Sequence, residues 1–90
     1  MRKVVKFNET DNVAVVLYDI QPGDSLQVGS LTVSAKQAIP YGHKIALADL
    51  AVGETVYKYG EPIARCTKAI TEGEWVHVHN VESIRGLGRR

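Results

Sequence analysis

Apolar and polar residues alternate over short spans of this chain, and the longest stretch at helical spacing is about a turn and a half. Lys3-Val4-Val5-Lys6-Phe7 predicts a short first strand, and the polar cluster Asn8-Glu9-Thr10-Asp11-Asn12 predicts a turn whose side chains bond their own backbone. Val13-Ala14-Val15-Val16-Leu17-Tyr18 then predicts a buried strand, because six residues with this β-branched content are too few for a helix. Leu31-Thr32-Val33 follows a Gly29-Ser30 turn as a further strand. Thr55–Tyr59 and Ile63–Thr67 flank Gly60-Glu61-Pro62 as a hairpin. The best helical candidate is Ile45-Ala46-Leu47-Ala48-Asp49-Leu50, a short helix or 3₁₀ turn. The pattern predicts a mostly β fold, compact and barrel-like, with one or two short helical turns.

A second pattern sits on top of the alternation. Ile20-Gln21-Pro22-Gly23, Ile39-Pro40-Tyr41-Gly42, Leu50-Ala51-Val52-Gly53 and Ile70-Thr71-Glu72-Gly73 each continue through two residues to another aliphatic one. Each copy predicts a turn that returns two aliphatic side chains to the core, with Gly supplying a positive φ at the corner. Three copies place an acid directly after the Gly (Asp24, Glu54, Glu74), whereas the second places His43 there. The copies are 19, 11 and 20 residues apart, too uneven for a uniform solenoid.

The chemistry gathers in Glu74-Trp75-Val76-His77-Val78-His79-Asn80. Read as an extended strand, it turns Val76 and Val78 to the core and Trp75, His77 and His79 to the other face. Two imidazoles about 6.6–6.8 Å apart along a strand can converge on one metal ion or one anion, and Asn80 adds a donor and an acceptor beside them. Gly42-His43-Lys44 places a titratable ring and an ammonium on one turn, and Lys58 stands before Tyr59-Gly60 as a possible carboxylate partner. A polar sheet face and solvated turns are the plain alternatives. Two histidines are too few for a closed structural metal site, so an ion here needs His43, a carboxylate, substrate oxygens or a second chain.

Ninety residues specify one small domain with a single core, able to bury about 60–65% of its unfolded surface. So small a surplus favours a partner. The net charge of +1 and the absence of a basic stripe argue against nucleic acid. The lone cysteine, Cys66, forms no internal disulfide and reads as a small core residue in a reducing compartment. No signal peptide or transmembrane span is predicted, so the expected location is cytoplasmic with no membrane association. The basic run Arg85-Gly86-Leu87-Gly88-Arg89-Arg90 is expected to be a frayed end of the single domain 1–90. No P-loop, dinucleotide fingerprint or Gly-x-Ser-x-Gly occurs.

Asp11-Asn12-Val13, Ile39–Leu47, Lys58-Tyr59-Gly60 and Gly73–Val81 resemble the small, N-terminal domain of the altronate and galactarate dehydratases and the small subunit of sulfolactate sulfo-lyase. The resemblance covers nearly the whole chain and is most specific in Val76-His77-Val78-His79-Asn80. It implies a SAF-type β-clip fold and a lyase that removes water, or sulfite, from a hydroxylated acid. It implies dependence on a divalent metal, Fe²⁺ or Mn²⁺, in a site completed by another subunit. A large dehydratase subunit encoded separately is the expected partner, and a homo-oligomer is also expected. Tyr41 and Ala64-Arg65-Cys66 depart from the family pattern and bear on substrate preference.

Such an elimination needs a base for the proton next to the carboxylate, help for the departing oxygen and a cation for the enolate-like intermediate. His43, Lys44, His77, His79 and Asn80 are the expected catalytic set, with His77 and His79 as metal ligands. Lys58, Asp11 and Asn12 are expected to contact substrate. Base and ligand are not told apart by sequence. The competing expectation is a binding module that captures a sugar acid without catalysis.

Overall fold

In the computed structural model, which describes residues 3–84, strands start from the Gly-containing corners. Each corner is a type II turn whose fourth N–H donates to the first carbonyl: Asp24 to Gln21 (3.0 Å), His43 to Pro40 (3.1 Å), Glu54 to Ala51 (3.0 Å) and Glu74 to Thr71 (3.0 Å). The third residue is Gly in every copy, at φ +90°, +86°, +90° and +93°, where a side chain would be strained. The recurring acid has a local task. Asp24, Glu54 and Glu74 each accept the first N–H of their own turn, from Gln21, Ala51 and Thr71. His43 replaces that clamp with a ring that goes elsewhere.

Nine strands form among the described residues: β1 Val4–Val5, β2 Val13–Val16, β3 Ser25–Val28, β4 Leu31–Ser34, β5 Lys44–Ala46, β6 Thr55–Lys58, β7 Glu61–Cys66, β8 Trp75–Val76 and β9 Val81–Ser83. They make three antiparallel sheets: β1-β2-β5-β8, the hairpin β3-β4, and β6-β7-β9. The sheets do not close into a barrel. The predicted strand at residues 13–18 stops at Val16, and no helix forms at residues 45–50. Ile45 and Ala46 instead pair with β2 on one side, and Ile45 pairs with Trp75 of β8 on the other. An isolated helix of six residues could not match that ladder.

The expected single core is two clusters, one on each side of the central sheet. Alternation explains the division, because successive side chains of β2 and β5 point to opposite faces. Ala14, Val16 and Ile45 join Leu26, Val28 and Val33 of the β3-β4 hairpin. Val13 and Ala46 join Val56, Ala64, Cys66 and Val76 on the other side. Cys66 is a buried free thiol, as expected of a core residue, and burial pushes its pKa up.

The two halves repeat one another. Ile20 bridges Ile39 while Asp19 accepts the Tyr41 N–H; Leu50 bridges Ile70 while Asp49 accepts the Glu72 N–H. No helix among the described residues is long and apolar enough to cross a membrane. The basic run at 85–90 lies outside the described residues.

Candidate functional site

β5 and β8 bring the histidines together. Their antiparallel register pairs Ile45 with Trp75 and Lys44 with Val76, so the next position along sets His43 opposite His77. The His43 and His77 ring centroids are 4.8 Å apart. Trp75 Nε1–H donates to His43 Nδ1 at 3.1 Å. An indole only donates, so His43 makes this bond with Nδ1 unprotonated and its proton on Nε2. Trp75 also stacks on His77, with centroids 5.4 Å apart and planes 9° apart, and meets His79 at 5.2 Å. The Trp75 N–H is held by Gln37 Oε1 at 2.8 Å. The three histidines are thus arranged around one tryptophan that sequence had placed beside them without a role. Gln37 was missed, since a lone Gln in a turn carries no signal.

The predicted strand through residue 80 breaks at His77. Val78, expected in the core, is 77% exposed. Asn80 causes the break. Its Oδ1 accepts the His77 N–H (3.0 Å) and its Nδ2–H donates to the Trp75 carbonyl (2.8 Å), while the Asn80 and Val81 N–H groups donate to the His77 carbonyl. Both halves of the amide are committed to backbone and the residue is buried, so Asn80 holds the His77 and Trp75 backbone. Asn80→Asp would set an acceptor against the Trp75 carbonyl, and an unsatisfied buried group costs about 1–3 kcal/mol. We expect that variant to lose stability in chemical denaturation together with any activity of the site. Full stability would show that the amide is not the clamp.

Asp11 and Asn12, expected to contact substrate, also hold backbone. Asp11 Oδ2 accepts from the N–H groups of Phe7, Asn8 and Tyr59, and Oδ1 accepts from Gly60 at 2.8 Å. Tyr59 and Gly60 have φ of +61° and +73°, the type I′ corner between β6 and β7, and the carboxylate fixes a conformation that Tyr59 would resist. Asn12 bonds both ways to β6, donating to the Thr55 carbonyl and accepting the Tyr57 N–H. Lys58 lies at the end of β6 with its ammonium 5.1 Å from the Tyr59 ring centroid.

Lys44 faces the opposite side of the sheet from His43. It lines a cavity of about 330 Å³ with His77, Ile63, Ala64, Val78, Val81 and Ser83. His77 reaches both neighbours because the chain has already left the strand there. Burial, and then Lys58, hold the Lys44 ammonium below the usual lysine pKa. Burial, followed by His43, Lys44 and His79, lowers the His77 pKa and favours its neutral ring.

A metal fits these residues poorly. Among the described residues no three His, Cys, Asp or Glu side chains are placed to hold an ion. A ligating histidine commonly donates its second ring N–H outward, whereas His43 Nδ1 accepts one from Trp75. His77 and His79 could offer at most part of a shell whose remainder came from another chain.

Residues 2–84 match the family model described as the altronate/galactarate dehydratase SAF domain. The chain is 37% identical over 83 residues to altronate dehydratase of Bacillus subtilis, covering 92% of this chain and 17% of that protein. It is 42% identical over 79 residues to altronate dehydratase of Escherichia coli, covering 88% of this chain and 16% of that protein. It thus spans about a sixth of the length of these two relatives. Against (2R)-sulfolactate sulfo-lyase subunit alpha of Chromohalobacter salexigens it is 44% identical over 82 residues, covering 83% of this chain and 87% of that subunit. The chain belongs to the altronate/galactarate dehydratase SAF-domain family.

Proposed function

We propose that this domain is the small component of a hydro-lyase that dehydrates a sugar acid such as altronate or galactarate, working with a separate large subunit. The observation that supports this most is the convergence of His43, Trp75 and His77 beside the cavity lined by Lys44. A neutral His77 is fit to accept a proton next to a carboxylate, and Lys44 is fit to offset the negative charge that then develops. Trp75 and Asn80 hold those groups in place. Among the described residues no three ligands are placed to hold an ion, so Fe²⁺ or Mn²⁺ would take most of its ligands from the large subunit, and no step is assigned to it. The cytoplasm is the proposed site of action.

One observation favours a second reading. The chain is 44% identical to a protein named (2R)-sulfolactate sulfo-lyase subunit alpha, which supports release of sulfite from sulfolactate by a similar two-component arrangement. The test combines this chain with a large dehydratase-like subunit and Fe²⁺ or Mn²⁺. Turnover of altronate or galactarate is expected, and sulfite release from sulfolactate would select the second reading. Saturable binding of these acids with no elimination by the mixture would sink both and leave a binding module.

A further inference from the structure

We infer that the cavity between β5, β7 and β9 is an oxyanion subsite, which takes the carboxylate or sulfonate of a small acid on the Lys44 ammonium and packs the adjoining carbons against Ile63, Ala64 and Val81. The inference rests on the lyase reading and narrows it. Lys44 is half-buried, and no carboxylate lines the cavity. The one ion pair among the described residues joins Arg65 to Glu82, so Lys44 has no acidic partner there. Lys58 adds a second positive charge near enough to depress Lys44 rather than a negative one to relieve it. A desolvated cation beside another cation and against an apolar wall is an unfavourable arrangement that an anion relieves.

The walls then limit what the anion is attached to. Ile63, Ala64 and Val81 offer aliphatic side chains for the carbons beside the anion, and Ser83 adds a hydroxyl that can donate or accept. The His77 ring, which can donate or accept, stands on the same cavity and suits one hydroxyl or one acidic C–H next to the anionic group. A volume of about 330 Å³ lies at the small end of ligand sites. The subsite therefore suits a small acid that carries a hydroxyl beside its anionic end.

The experiment follows the amide resonances of the full chain by two-dimensional NMR during titration with sulfolactate, galactarate and inorganic sulfate, for the native protein and Lys44→Gln. We expect saturable shifts at Lys44, Ile63, Ala64, His77, Val81 and Ser83 with sulfolactate or galactarate. Lys44→Gln should weaken binding about tenfold or more, the scale of one lost hydrogen bond to a charged group. Sulfate moving the same resonances as strongly as sulfolactate would show charge attraction without recognition of the carbon skeleton, and would overturn the inference. So would shifts elsewhere, no saturation, or equal affinity in a Lys44→Gln protein whose spectrum remains folded. Turnover by the assembled enzyme with no binding at this cavity would sink the subsite and leave the lyase reading standing. Binding here without turnover would do the reverse.

Discussion

His77→Ala is expected to lower turnover of the assembled lyase about 10²–10⁴-fold, the range of general acid–base contributions, while the domain stays folded. The expectation comes from where the ring sits. It stacks on Trp75, approaches His43 to 4.8 Å and borders the same cavity as Lys44. Its backbone, in contrast, is held by Asn80, which the substitution leaves in place. Losing one aromatic contact at a half-buried position costs about 0.5–1.5 kcal/mol. His79→Ala removes an exposed ring that touches Trp75, and should cost less stability and less activity than His77→Ala. The check is melting temperature and turnover on the same preparations, with the large subunit and metal present. Native turnover by His77→Ala would remove the residue from the site. A collapse of the melting transition would make it a structural residue instead.

The largest effect on stability is expected at Gly73. A Cβ built there would collide with the Ser34 carbonyl oxygen, which is backbone and cannot swing aside. The residue also sits at φ +93°, and its own carbonyl accepts the Lys36 N–H at 2.9 Å. Gly53 is the control, with nearly the same φ of +90° but open space around the added atom. Gly53→Ala should cost only backbone strain, about 1 kcal/mol, and about 4–8 °C of melting temperature in a domain of this size. Gly73→Ala adds a clash between two backbone segments and should cost more than about 3 kcal/mol, a large part of the stability of a small domain. Thermal unfolding of the two variants side by side separates strain from contact. Equal losses would mean that the β4 end yields without cost, and that the close approach does not matter.

The contrast between these glycines also separates local from tertiary information. A Gly at each corner followed by an acid is a local pattern, and type II turns clamped by Asp24, Glu54 and Glu74 are local structures. Short alternating strands and the 55–67 hairpin were legible for the same reason, since backbone preference and side-chain period act over a few residues. The exception in the pattern, His43, was legible as an exception. Its partner was not. Residues 43 and 77 meet only because β5 pairs with β8 in one register, and that pairing joins segments 32 residues apart. The same holds for the split core, which depends on a hairpin and a second sheet covering opposite faces of β2 and β5. Asp11 and Asn80 show the limit most plainly. A polar side chain near a motif carries the same residue letter whether it meets a substrate or backbone N–H groups. Asp11 turned to the distant Tyr59-Gly60 corner, and Asn80 turned back on Trp75 and His77. Sequence alone determined the turns, the β character and the residues able to do chemistry. Tertiary pairing decided which of them face one another, because contacts between distant segments are set by how the sheets pack and not by the neighbours of a residue along the chain.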